Sequence, residues 1–182
     1  LLLPILTVSA QCLVQKVALE ERIHTTDYIL EGKIIAQKSF WDDQYRNIYT
    51  SNTIELYKVF KGAINEYETI ELITRGGVVG TDMQIDYPSL RLQVGDIGLF
   101  LLNTNNIKSK STPKNNGIYC MSEYVSQGYL PYNLTTGKAY DGTQAYNNVP
   151  RQLYDQIEQT VNQHYRILKP FNFDKAVSSQ RT

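Results

Sequence analysis

Asp27-Tyr-Ile-Leu-Glu-Gly-Lys-Ile-Ile-Ala36, Ile54-Glu-Leu-Tyr-Lys-Val-Phe60 and Asp96-Ile-Gly-Leu-Phe-Leu-Leu102 set the architecture of this chain. Each is a short apolar or alternating run bounded by turn residues, which reads as a β-strand. Residues 28–40 form one long strand, with Ile29 and Ile35 on one face and Leu30, Ile34 and Ala36 on the other. Gly32 within it marks a bulge, sharp coiling or a close backbone approach. Trp41-Asp-Asp-Gln-Tyr-Arg-Asn47 is a polar hairpin tip. Residues 48–61 return as a second strand, with Ile54, Leu56 and Phe60 set against Glu55, Tyr57 and Val59. Residues 69–74 make a third strand that enters the Gly-rich bend Arg75-Gly-Gly-Val-Val-Gly80, and 83–87 make an edge-like piece stopped by Pro88. The unbroken apolar run 97–102 is the mark of a strand buried on both faces. Strongly coiled strands with Gly at their bends suit a small barrel better than a flat sheet.

Helices flank this β region. Residues 17–25 predict a short amphipathic helix, with Leu19 and Ile23 inward and Glu20, Glu21 and Arg22 outward. Pro150 opens a second helix, where Leu153, Ile157 and Val161 repeat every four residues. Between them, 103–116 is a polar loop, 118–132 returns to strand with Cys120 and Tyr129, and Asn133-Leu-Thr-Thr-Gly137 is a turn carrying an Asn-x-Thr sequon. Residues 169–182 are polar and aperiodic, as a linker towards a further domain would be.

A chain of 182 residues is long enough to bury roughly 70% of its unfolded surface in one core. Lys+Arg 18 against Asp+Glu 18 leaves no net charge and no basic stripe, so neither nucleic acid nor an anionic membrane is the expected partner. Leu1-Leu-Leu-Pro-Ile-Leu-Thr-Val-Ser-Ala10 is an apolar run, small or apolar at the two positions that signal peptidase reads, and is expected to be the back half of a signal peptide cleaved before Gln11. The alternative is a buried N-terminal strand. A lipoprotein reading through Cys12 is poorer, because Gln11 occupies the position that needs a small residue. No segment approaches the ~20 apolar residues a membrane helix needs. The expected location is therefore secreted or cell-surface, and the expected domain layout is 1–10 signal remnant, 11–168 module and 169–182 linker.

In an oxidising compartment Cys12 and Cys120 have a single possible pairing. Such a disulfide would close a loop of about 100 residues and stabilise the fold by roughly 4–5 kcal/mol in the chain-entropy model. Two unrelated buried thiols are the alternative.

Catalytic chemistry has little to build on. The β region 27–103 has no His, no Cys and no Gly-x-Ser-x-Gly elbow. His24 and His164 fall in separate helices without a His-Glu-x-x-His pattern, so no metal site and no cofactor are expected. Asp42, Asp43 and Asn47 lack calcium-loop spacing and read as a solvated hairpin tip. Gly76 to Gly80 lacks the Lys-Ser/Thr of a phosphate loop and reads as a bend that lets backbones approach. Glu66 with Glu68, or Glu55 with Glu71, could imitate a glycosidase pair, but they lie on strand faces that read as exposed. No catalytic residue is assigned. Trp41 with Tyr45, and Tyr119, Tyr124, Tyr129 and Tyr132, offer an aromatic platform for sugar or peptide, against the alternative of half-buried structural rings. The expected binding residues are Trp41, Asp42, Asp43, Tyr45 and Tyr129.

The motifs Thr26-Asp-Tyr-Ile-Leu-Glu-Gly-Lys33, Ser39-Phe-Trp-Asp-Asp43, Ile54-Glu-Leu-Tyr-Lys-Val-Phe-Lys-Gly62, Gly76-Gly-Val-Val-Gly80, Leu92-Gln-Val-Gly-Asp-Ile-Gly-Leu-Phe100 and Gln127-Gly-Tyr-Leu-Pro-Tyr132 resemble a module of large secreted Bacteroidetes-type proteins. The resemblance covers residues 19–165. It implies an OB-type or netrin/tissue-inhibitor-like barrel behind a signal peptide, often followed by immunoglobulin-like repeats, a zinc peptidase domain and a type IX sorting signal. The expected fold class is thus mainly β, a small closed or partly open OB-like barrel with a short N-terminal and a C-terminal helix. Tissue inhibitors place a free N-terminal Cys amine on their target's zinc. Here Gln11 would precede Cys12, which departs from that pattern.

The functional expectation is a non-catalytic exported module that packs on downstream domains of its own polypeptide or binds an extracellular protein or glycan. Two alternatives stand beside it. One is an accessory domain of a secreted zinc peptidase, holding it latent or presenting substrate. The other is a carbohydrate-binding module built on Trp41.

Overall fold

The computed structural model describes residues 15–64, 69–87, 89–107, 119–122 and 125–180. The expected signal remnant 1–10, Cys12, Glu66, Glu68, Pro88 and Tyr124 lie outside the described residues, and Tyr119 and Cys120 are described by their backbone alone. The proposed disulfide therefore lies outside them too.

The chain runs α1 (Leu19–Thr25), β1 (Tyr28–Trp41), β2 (Ile48–Lys61), β3 (Ile70–Arg75), β4 (Gly77–Val79), β5 (Asp82–Gln84), β6 (Ile97–Thr104), β7 (Tyr119–Met121), β8 (Tyr129–Asn133), β9 (Lys138–Tyr140) and β10 (Ala145–Tyr146). A π-helical turn, Pro150–Tyr154, leads into α2 (Asp155–Val161), followed by β11 (Arg166–Ile167) and α3 (Phe173–Ser179). The fold is mainly β. β1 lies antiparallel between β2 and β6, and β2 continues to β3. β6 also pairs with β8, which leads to β9 and β10. β7 touches β3 in parallel and β6 antiparallel, through two residue pairs each. With only that short strand between β3 and β6, the sheet is not closed into a continuous barrel. β4 and β5 form a separate two-stranded hairpin.

β6 behaves as its apolar run predicts, with a core on each face. Leu99 and Leu101 meet Ile29, Phe60 and Leu130 under the helices, where Leu19, Ile23, Leu153, Ile157 and Phe173 are buried. Phe100 and Leu102 meet Leu30, Ile34, Ile54, Leu56 and Val59 on the other side. The expected faces of β2 need correction. The register pairs Glu31 with Lys58 and Gly32 with Leu56, so Tyr57 is skipped. Such a bulge inverts the alternation. Val59 therefore joins Ile54 and Leu56, while Phe60 crosses to the helical side. Ile35 is likewise skipped in β1 and is 44% exposed, not partnered with Ile29. Gly32 is where the strands approach: a Cβ there would lie 2.4 Å from the Glu55 carbonyl oxygen and 2.6 Å from Ile54 Cγ2.

Two more expectations change. Arg22 is buried, because it falls on the same helical stripe as Leu19, Ile23 and Thr26, at i, i+3, i+4 and i+7. Residues 169–180, read as an aperiodic linker, carry a helix that packs on the core. Asn172 caps α3 by accepting from the Lys175 N–H at 2.8 Å, and Phe173 meets the Tyr132 ring edge-on at 5.0 Å. Two apolar residues four apart, Phe173 and Val177, are enough to dock a helix of one and a half to two turns, too short to show periodicity.

Candidate binding surfaces

The sequence-predicted site falls on the β1–β2 hairpin tip. Asp42 organises it. Its carboxylate accepts from the backbone N–H groups of Gln44 (3.2 Å), Arg46 (2.8 Å) and Asn47 (3.1 Å) and from the Asn47 side chain (2.9 Å). The Arg46 N–H leads in holding its pKa below the usual carboxylate range; desolvation opposes, and Asn47 and Gln44 add to the lowering. Those bonds turn the carboxylate into its own loop, the role of an Asx turn. Trp41 is half-buried, not exposed, beside Phe40, which stacks on Tyr49 at 6.1 Å. A cavity of about 440 Å³ opens there, with Trp41, Asp42, Asp43, Arg46, Tyr49 and Ile107 in its wall. Tyr45, 69% exposed and held at φ 53°, stands on the loop outside that wall.

Tyr129 does not join this group. It is buried, stacked on Phe100 at 4.6 Å, and its hydroxyl donates to the Ile97 carbonyl at 3.1 Å. Burial, with Asp96 adding to it, pushes its pKa well up. Tyr132 is also buried. The structure thus brings Trp41, Asp42 and Asp43 together and withdraws Tyr129 and Tyr132 from the expected aromatic platform.

A second surface was not anticipated. The β4–β5 hairpin stands beside Gln37, Lys38 and Ser39 of β1 and the segment 89–92, enclosing a groove of about 450 Å³. Gly76 and Gly77 allow this approach, since a Cβ on Gly77 would lie 2.4 Å from Ser39 Oγ and 2.5 Å from Thr50 Oγ1. Val78 and Met83 are cross-strand partners, 56% and 67% exposed, and Ile85 and Tyr87 follow at two-residue spacing, each 71% exposed. Alternation at Met83, Ile85 and Tyr87 is visible in the sequence. What it does not reveal is that no layer among the described residues covers that face.

Among the described residues the interior holds two buried ion pairs. Lys58 contacts Glu31, donates to the Phe171 carbonyl at 3.0 Å, and faces the rings of Tyr154 (5.0 Å), Phe171 (5.2 Å) and Tyr165 (5.7 Å). The hydroxyls of Tyr132 and Tyr154 donate to Glu31. Arg22 contacts Asp141, whose carboxylate also accepts from Tyr146, Thr143 and Gln144. Burial alone would raise the Asp141 pKa, but the Arg22, Thr143 and Gln144 bonds outweigh it and hold it low. Glu71, expected on an exposed face, is buried and accepts from Ser51 Oγ at 2.6 Å.

Among the described residues no three His, Cys, Asp or Glu side chains are grouped to hold a metal ion, and no helix is long and apolar enough to cross a membrane. Compared with protein-family models, curated proteins and solved structures, the chain matches none.

Proposed function

We propose that this chain is a non-catalytic, exported β module that docks a partner within a larger secreted or cell-surface protein. The observation that carries the reading is the uncovered apolar face of Val78, Met83, Ile85 and Tyr87 beside a groove. Exposed apolar side chains scattered singly need no explanation, but four on one short segment mark an interaction site. The reading includes an OB-type arrangement. In its support, β1 to β3 form a meander, β7 runs parallel to β3, and β6 returns antiparallel to β1. The inward residues of β1, β2, β3 and β6 also share one cluster.

The test is native mass together with peptide-array and glycan-panel binding, on the wild type and on Met83→Ser/Ile85→Ser. Binding or self-association by the wild type that the double variant loses supports the reading. A wild type that binds nothing, or that turns over a peptide or glycan substrate, overturns it.

A second reading has its own observation. The hairpin-tip cavity sets the Trp41 and Tyr49 rings beside Asp43, Gln44, Arg46 and Asn47, the mixture of apolar face and polar edge that a sugar ring offers in return. If Trp41→Ala leaves affinity across a glycan panel unchanged, this reading fails.

A further inference from the structure

We propose that the groove beside the β4–β5 hairpin receives an extended acidic peptide segment. Its apolar side chains would lie on Val78, Met83 and Ile85, and its carboxylates on Lys38 and Arg91. This rests on the binding-module reading above and adds the chemical class of the partner.

Charge argues first. The groove wall holds Lys38, Arg75 and Arg91 against a single carboxylate, Asp86, in a chain whose net charge is zero. Arg75 and Asp86 approach to 3.7 Å, with the Arg75 side chain 61% exposed. Lys38 and Arg91 are exposed and have no carboxylate within ion-pair distance among the described residues. A local excess of cations on a neutral molecule steers and selects an anionic partner.

The shape then restricts which anion fits. β5 pairs with β4 alone, so its other edge carries no strand among the described residues. An extended peptide can add to such an edge, with backbone bonds supplying affinity and alternate side chains supplying specificity. Val78 and Met83 face the same way, and Ile85 continues the two-residue repeat. A strand alternating apolar and acidic residues would match that wall on one face and the cations on its margin.

Other occupants fit less well. A polyanion without apolar groups would leave Met83 and Ile85 in water. A second copy joined about a two-fold axis would set like cations against each other, because such an interface presents the same patch twice.

The test begins with selection from a display library of random ten-residue peptides on the intact chain. Enriched sequences should alternate Asp or Glu with apolar residues. Fluorescence polarisation of an enriched peptide should then weaken on the order of tenfold in Lys38→Glu/Arg91→Glu, and similarly in Met83→Ser/Ile85→Ser. The four positions are exposed, so unchanged thermal melts should accompany both variants. Selection of basic peptides, or of none, overturns the proposal. So does binding that Trp41→Ala abolishes and the groove variants leave intact, although the module reading survives that result. A dimer that falls to monomer in Met83→Ser/Ile85→Ser would put a second copy on this face and also overturn it. The absence of every ligand and of self-association, or turnover of a substrate, removes the module reading as well.

Discussion

Lys58→Met should be among the most damaging single substitutions in this fold. The Lys58 and Glu31 side chains are 5% and 0% exposed, so the change leaves a carboxylate sealed in the interior. Among the described residues, only the Tyr132 and Tyr154 hydroxyls would remain to solvate it. Breaking one side of a buried pair costs about 3–5 kcal/mol, a large part of the 5–15 kcal/mol that typically holds a domain together. Glu31→Gln should cost less than that range. It strands the ammonium, but the Phe171 carbonyl and three aromatic rings still face it. The double variant Glu31→Gln/Lys58→Met removes both charges and keeps an acceptor for the tyrosines. It should therefore be more stable than the sum of the single losses by about 2–3 kcal/mol. Urea unfolding reads this directly, with Trp41, the only Trp, as the fluorescence probe. At a slope of about 2 kcal/mol per molar, a loss of ~4 kcal/mol moves the Lys58→Met midpoint down by about 2 M. Single losses that add to within about 0.5 kcal/mol would refute the reasoning, since they would mean the two charges do not share a dehydrated site.

Three other outcomes are expected. Asp141 has a folded pKa below its ordinary value, so its stabilisation is complete above pH ~4 and is lost as pH falls through the lower folded value; thermal melts from pH 5 downward should fall less steeply in Asp141→Asn, and parallel acid limbs would contradict this. Gly32→Ala should destabilise by about 1–3 kcal/mol in denaturant titration, because its methyl group meets the Glu55 carbonyl oxygen, a backbone atom that cannot swing away. Phe173→Ala should cost about 3–5 kcal/mol by the same titration, whereas a free linker residue would cost nothing measurable.

The sequence was most informative where a strand has one consistent period. Residues 97–102 announced a strand with a core on either face, and β6 has one. Residues 28–61 announced a long hairpin with its tip at Trp41 to Asn47, and β1 and β2 form it. Legibility failed where a single skipped residue changes parity. Nothing around Tyr57 marks it as a bulge, so simple alternation puts Val59 and Phe60 on each other's faces. It failed again where a charged residue is buried. Arg22 has the composition of a solvent face, and its partner Asp141 is 119 residues away. Pairings of that separation leave no local trace. The polar run from Trp41 to Asn47 reads as a hairpin tip, and Trp41 and Asp42 lie at the turn between β1 and β2. Tyr129 shows the weakness of such reasoning, because a Tyr on a strand gives no sign of which face carries its ring.

The distribution of charge bears on function more than any single residue does. Inside the fold, Lys58 is matched with Glu31 and Arg22 with Asp141, and each of these carboxylates is further bonded by hydroxyls or backbone N–H groups. Even the exposed Lys169 contacts Glu55, which fastens the segment leading to α3 onto β2. Desolvation explains the interior, because an unmatched ion there would cost several kcal/mol. No such requirement acts at the groove. Among the described residues Lys38 and Arg91 stand unmatched there, beside apolar side chains that burial would favour covering. Folding alone supplies no reason to gather cations and exposed Met and Ile on one wall, and a partner carrying carboxylates and apolar groups would satisfy both at once.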